Sequence, residues 1–323
     1  MAIYLLPLPL CGASFFEMSL RQDSIYTPGK VNLTMKLTGK AKIEGRYQFK
    51  VSVYMAGTLI RKQTLTVTKK EPAVFELMFP DVYTRTDSRC RSELFIGGRF
   101  IEAQEKPLTL WPPIAPYQEE SIKNKEIWTF DISGKLQELF SDLEVEAVDA
   151  TFQAARDFGT PDIVFIGQCL DPNNIRLITR CLMSLETKPV IVFLRQKQFL
   201  RNAKIEIPTE NNRSQSVECD ADCPLLNSLN LRDVMNMVDG ATYVKIKKEK
   251  DDKAGSVNSY VTERVKDKKS IYSYLCAVKE KGRVTIYCQL PVTDDNDPRY
   301  AVLLKNLLRL TDRISDSRKN QTK

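Results

Sequence analysis

Apolar and polar residues alternate from about Tyr26 to Leu110, as in Val31-Asn32-Leu33-Thr34-Met35-Lys36-Leu37 and Tyr47-Gln48-Phe49-Lys50-Val51-Ser52-Val53-Tyr54. A period of two turns one face of each strand to a core and the other to water, so the stretch predicts half-buried antiparallel strands. Turn-forming clusters punctuate it at Thr27-Pro28-Gly29-Lys30, at residues 40–46, at Ala56-Gly57-Thr58 and at Ile96-Gly97-Gly98-Arg99. Short alternating strands with no helical period between them predict an all-β immunoglobulin-like sandwich over residues 1–110.

Trp111-Pro112-Pro113-Ile114-Ala115-Pro116-Tyr117 breaks the alternation, because three prolines remove ladder donors and hold the backbone extended. Residues 111–126 therefore read as a linker. Beyond them the rhythm becomes strand, helix, strand. Strands are predicted at 127–132, 145–150, 162–169 and 189–195, with helices at 135–143 and 173–185. Continuous apolar strands separated by helices predict a parallel sheet covered on both faces, a doubly wound, flavodoxin-like α/β domain over 127–315. A helix at about 231–238, a strand at 242–246, a hairpin with arms 271–278 and 283–290, and an amphipathic helix from Pro298 complete the reading, with 316–323 a flexible tail.

Composition narrows the chemistry more than the fold. Across 323 residues, 48 Lys and Arg face 41 Asp and Glu, a net charge of +7 with the signs interspersed, so nucleic acid is not an expected partner. The basic excess within 245–269 reads as a solvated polar excursion. No run approaches the roughly 20 apolar residues of a membrane helix. Met1 to Phe16 is apolar but has no basic region and is broken by two prolines, so no secretory signal is expected. The eight cysteines are scattered, mostly in apolar runs, as buried free thiols would be. Cys219 and Cys223 lack a second pair at metal-ligand spacing, so neither a metal nor a cofactor is expected.

The sequence contains no histidine. That removes Ser-His-Asp hydrolysis, Cys-His amidotransfer and His-ligated zinc at once. Cys169 ends a predicted parallel strand, near where a nucleophile sits in an α/β sheet, but has no base to activate it and reads as structural. Ser133-Gly134, at the start of the first predicted helix of the α/β region, is a candidate small-anion site. Asp294 and Asp295 follow the last predicted strand, at the carboxyl edge where open α/β sheets bind ligands, although turn and capping duty also explains them. Trp111, Tyr117 and Trp128 surround the linker and are candidates to stack on sugars, or else to pack in cores.

The stretches Asp162-Ile163-Val164-Phe165-Ile166-Gly167, Pro189 to Gln196, Cys223-Pro224-Leu225-Leu226-Asn227-Ser228-Leu229 and Glu280 to Pro291, with the Leu-rich helix 301–310, carry a resemblance. In that order they resemble the C-terminal region of multidomain bacterial β-galactosidase-type glycoside hydrolases, where a sandwich precedes a class I glutamine amidotransferase-like domain. The resemblance implies a non-catalytic structural or oligomerisation module beside a glycosidase, with a protein partner or self-association. The alternative is a carbohydrate-binding module; an enzyme without His-dependent chemistry ranks below both. Two departures stand out: the chain holds no glycosidase barrel, and Cys223 stands before Pro224 where the pattern has His.

Overall fold

The computed structural model describes residues 14–38, 46–67, 71–151, 160–167, 172–185, 187–196, 205–207, 217–219, 223, 227–238, 241–247, 256–263, 270–280, 282–292 and 297–319. The chain divides into two compact units, 1–113 with 296–298, and 114–295 with 299–323.

The first unit is built from β1 (Phe16–Leu20), β2 (Ser24–Tyr26), β3 (Gly29–Leu37), β4 (Tyr47–Met55), β5 (Thr58–Val67), β6 (Ala73–Phe79), β7 (Thr86–Ile96) and β8 (Arg99–Trp111). They form two sheets, β1-β3-β6 and β2-β8-β7-β4-β5. The alternation of the sequence is the burial pattern of the strands. Val31, Leu33 and Met35 of β3, Phe75 and Leu77 of β6, and Phe49, Val51 and Val53 of β4 all turn into one core, where the Phe16 and Phe49 rings meet edge to face at 5.2 Å. Removing that much apolar surface from water is the main stabilising contribution, at roughly 25 cal/mol per Å².

Strand β5 departs from this pattern. It pairs with β4 along its whole length, Tyr47↔Val67 through Met55↔Thr58, and ends the five-stranded sheet. Leu65 lies opposite Phe49, yet Leu65 is 38% exposed and Phe49 1%. The core-facing side of the sheet thus runs on past the point where the three-stranded sheet covers it.

The second unit carries α1 (Glu120–Lys123), β9 (Ile127–Phe130), α2 (Lys135–Asp142), β10 (Val148–Asp149), β11 (Ile163–Ile166), α3 (Pro172–Ser184), β12 (Val190–Leu194), β13 (Ile205–Glu206), β14 (Val217–Cys219), α4 (Leu231–Val238), β15 (Val244–Lys247), β16 (Ser256–Glu263), β17 (Ser270–Glu280), β18 (Arg283–Cys288) and α5 (Pro298–Lys319). Its sheet runs β10-β9-β11-β12-β18-β17-β15-β13, with β16 pairing β17 and β14 pairing β16. Neighbours from β10 to β18 are parallel; every pairing beyond β18 is antiparallel.

This corrects the expected fold of residues 127–315. The strand-helix-strand rhythm holds from β9 to β12, but the chain then returns as hairpins instead of further crossover helices. The result is a mixed sheet in a protein with 49% strand and 21% helix, not a doubly wound flavodoxin-like or amidotransferase-like α/β domain. The physical reason lies in β16, β17 and β18, which pair with their chain neighbours as antiparallel strands, so no helix is needed to carry the chain back across the sheet. The segment read as a polar excursion contains β16.

Candidate functional site

The three aromatic candidates lie inside the protein. Trp111 closes β8, is 4% exposed, and donates its indole N–H to Ser24 Oγ at 2.7 Å, with the Arg85 guanidinium 5.3 Å from its ring. Trp128 of β9 is fully buried and donates to Glu126 at 2.9 Å. Tyr117 is buried in the core of the second unit and donates its hydroxyl to Glu119 at 2.9 Å. Burial, reinforced by that carboxylate, pushes its phenol above the usual range. None of these rings offers a face to a ligand.

Ser133 is exposed but bonded to the buried Asp131 at the carboxyl end of β9. Its hydroxyl donates to the two carboxylate oxygens at 2.8 and 3.0 Å, and the same carboxylate accepts from the backbone N–H of Ser133 at 3.2 Å and of Leu136 at 2.8 Å. The partial positive charge of the α2 N-terminus is therefore met by the protein's own anion. Gly167, at the end of β11, makes this arrangement possible: a Cβ there would lie 2.6 Å from Asp131 Oδ1 and 2.8 Å from its Cβ and Cγ. Asp294, Asp295 and Cys169 lie outside the described residues.

Five of the described thiols are poor nucleophiles. Burial raises Cys90, Cys276 and Cys288 to about 12, and pushes Cys181 and Cys219 up as well. A thiol that stays protonated at neutral pH is a weak nucleophile toward a carbonyl. Among the described residues no cluster of three or more Cys, Asp or Glu is placed to hold a metal ion, and no helix is long and apolar enough to cross a membrane.

A concave site lies instead on the sandwich, where sequence reading had placed only a turn. The chain leaves β1 through Arg21 and Gln22, passes along β2 to Tyr26, and turns into β3 at Gly29. These residues, with Lys30 and Asn32 of β3 and Glu76 of β6, line a groove of about 550 Å³, within the roughly 300–1,000 Å³ typical of small-molecule sites. The backbone N–H of Arg21 donates to Asn32 O at 3.3 Å, tying one wall to the other. Gly29 is required by close approach, since a Cβ there would stand 2.2 Å from the Tyr26 carbonyl oxygen. Behind the turn, the buried Thr27 bonds Trp111 O through both its N–H (2.9 Å) and its hydroxyl (3.0 Å), and accepts from the N–H of Val82 at 3.0 Å.

The charges of the groove are unequal. Lys30 Nζ stands 3.1 Å from Glu76 Oε2, in a pair more than half exposed on both sides. Arg21 makes no ion pair with any described residue. Among the described residues the groove therefore presents Lys30 beside a carboxylate and Arg21 without an ion pair, together with the half-buried Tyr26 and the side-chain amides of Gln22 and Asn32. No single stretch of sequence announces it, because its residues come from four elements spread over positions 21–76.

No protein-family model matches the chain, and no curated protein matches it. Among solved structures, the chain is similar to domains d3–d4 of the rat CD45 extracellular region at 14% identity, covering 29% of this chain and 46% of that one, with a TM-score of 0.21. It is similar to the CARDB domain of the PF1109 protein of Pyrococcus furiosus, solved with di-metal ions, at 16% identity, covering 30% and 84%, with a TM-score of 0.23. Parabacteroides merdae β-glucuronidase is 10% identical over 56% of this chain and 29% of that chain, with a TM-score of 0.25. The chain thus spans under half of the CD45 fragment and under a third of the glucuronidase. TM-scores this low assign neither fold nor function.

Proposed function

We propose that this chain is a non-catalytic accessory module that works by association, through the free edge of its larger sandwich sheet. The observation that carries the reading is β5. A ten-residue strand with Leu59 49%, Ile60 39% and Leu65 38% exposed, paired on one side only among the described strands, presents a row of backbone donors and acceptors to a further strand. The absence of histidine and the raised thiols support a role without nucleophilic or acid-base chemistry.

A second copy of the chain fits this edge. Antiparallel pairing about a twofold axis through Gln63 sets Arg61 opposite Leu65 and Lys62 opposite Thr64, so no like charges face each other. Centring the pair one residue earlier would oppose Lys62 to Lys62, which disfavours that register. Sedimentation equilibrium over micromolar concentrations tests the reading: association that Leu65→Glu abolishes with an unchanged circular dichroism spectrum is expected. A protein that stays monomeric throughout, or a Leu65→Glu variant that associates as tightly as the parent, would overturn it.

A second reading, a carbohydrate-binding module, is favoured by the Tyr26 groove. Aromatic faces and planar amides are the side chains that meet the apolar faces and hydroxyls of a sugar. Calorimetric titration with an oligosaccharide panel tests it, and silence across the panel would remove it.

A further inference from the structure

We infer that the Tyr26 groove selects saccharides bearing a carboxylate, with Arg21 as the group that reads the acid. The inference rests on the carbohydrate-binding reading of the groove and goes past it in naming the ligand's charge. Two cations line the groove, but among the described residues only Lys30 has an ion pair with a carboxylate, Glu76 at 3.1 Å. Arg21 makes no ion pair among the described residues, and the Lys30–Glu76 pair largely cancels its own charge. Arg21 is therefore the groove cation that no described residue pairs. Its guanidinium presents parallel N–H donors whose geometry matches the two oxygens of a carboxylate, which makes Arg a selective reader where Lys is a point charge.

The remaining walls suit the rest of such a ligand. Gln22 and Asn32 each offer both donor and acceptor groups, the inventory that vicinal hydroxyls require. The Tyr26 ring supplies a flat surface for the C–H face of a pyranose. Glu76 opposes a second acidic group on the Lys30 side, so the site favours one carboxylate at the Arg21 end over a densely charged polyanion. Gly29 holds the wall open: with its Cβ position 2.2 Å from Tyr26 O, the β2–β3 turn is kept tight against β2.

The test is isothermal titration of the full chain with a glucuronate-containing tetrasaccharide, its neutral glucose counterpart, and sodium acetate. The acidic sugar is expected to bind at least tenfold more tightly than the neutral one, with acetate silent at millimolar concentration. Arg21 is exposed, so Arg21→Gln leaves the fold intact. It should remove the preference for the acid over the neutral sugar, and Arg21→Lys should restore only part of it. Equal binding of acidic and neutral sugars, or an Arg21→Gln variant with the parent's preference, would overturn the inference while leaving the saccharide reading standing. If neither sugar binds, both fall. If acetate binds as tightly as the acidic sugar, the groove is a simple anion site and the inference is likewise overturned.

Discussion

Replacing Gly167 by alanine adds one methyl group at the point where two strand ends meet most closely. An ideal Cβ there lies 2.6 Å from Asp131 Oδ1 and 2.8 Å from Asp131 Cβ and Cγ, distances that real Cβ contacts do not reach. Asp131 cannot yield without cost. It is 6% exposed, and its carboxylate accepts from three donors, the hydroxyl and the N–H of Ser133 and the N–H of Leu136 in the first turn of α2, at 2.8 to 3.2 Å. Overpacking of a tight interior costs about 1–3 kcal/mol, and a hydrogen bond to a charged group contributes about 1.5–3 kcal/mol. If the methyl group dislodges the carboxylate from even one of these bonds, the expected cost is about 3–4 kcal/mol. For a unit of this size, each kcal/mol lowers the midpoint by about 2–4 °C. Differential scanning calorimetry should therefore show a drop of roughly 6–16 °C in the transition of the second unit. Asp131→Ala removes two of the three clashing atoms, so Gly167→Ala should cost less in that background than in the parent. A midpoint within a degree of the parent, or strict additivity in the double variant, would refute the reasoning.

Gly29→Ala should cost about 1–3 kcal/mol in the sandwich by forcing the Tyr26 carbonyl away, read as a lowered urea midpoint. Cys90, Cys276 and Cys288, raised to about 12, should resist iodoacetamide at pH 8 in the folded protein and react after denaturation, as peptide mass spectrometry can follow. Hydrogen bonding by Lys245, aided by the charge of Lys247, holds the Glu206 carboxyl below the usual range. Its contribution is therefore complete above the unfolded carboxylate range and lost as pH falls through the lowered value. Chemical-shift titration should find Glu206 titrating below its ordinary value, and Lys245→Met should move it back up. Trp111 and Trp128, both buried, should emit at short wavelength, resist acrylamide quenching and leave sugar binding unchanged when Trp111 is replaced by Phe.

Much of the sandwich is visible in the chain because each strand buries one face, and burial at Val31, Leu33, Met35, Phe49, Val51 and Val53 is written directly as alternation. The inner parallel strands are legible for the opposite reason: Ile163 to Ile166 are covered on both faces and read as an unbroken apolar run. Strand β16 is not legible. Register shifts between Ser259 and Val261 and between Val261 and Thr262 break its period of two, and the charged residues flanking it dominate any window that contains it. Without β16, the predicted hairpin of 271–278 and 283–290 and the strand at 242–246 have no visible antiparallel neighbour to join them, and the parallel strands before them extrapolate to a different fold. The aromatic candidates show a separate limit. An indole that bonds Ser24 or Glu126 from inside a core has the same one-letter code as one awaiting a sugar. The groove, assembled by four elements around a tight glycine turn, is encoded in tertiary structure alone.

Strand order also sets a timetable for synthesis. Strand β12 takes β18 as its parallel partner, Ile191 against Thr285, so everything between those strands must leave the ribosome before that side of the sheet can close. At about 5–20 residues per second, the delay is on the order of ten seconds. For that interval Val190, Val192 and Leu194, each at most 1% exposed in the finished protein, belong to an open apolar edge on the nascent chain. The cell must shield that edge while it waits, so yield in a heterologous host should depend on chaperone supply and translation speed more than on the stability of the finished molecule.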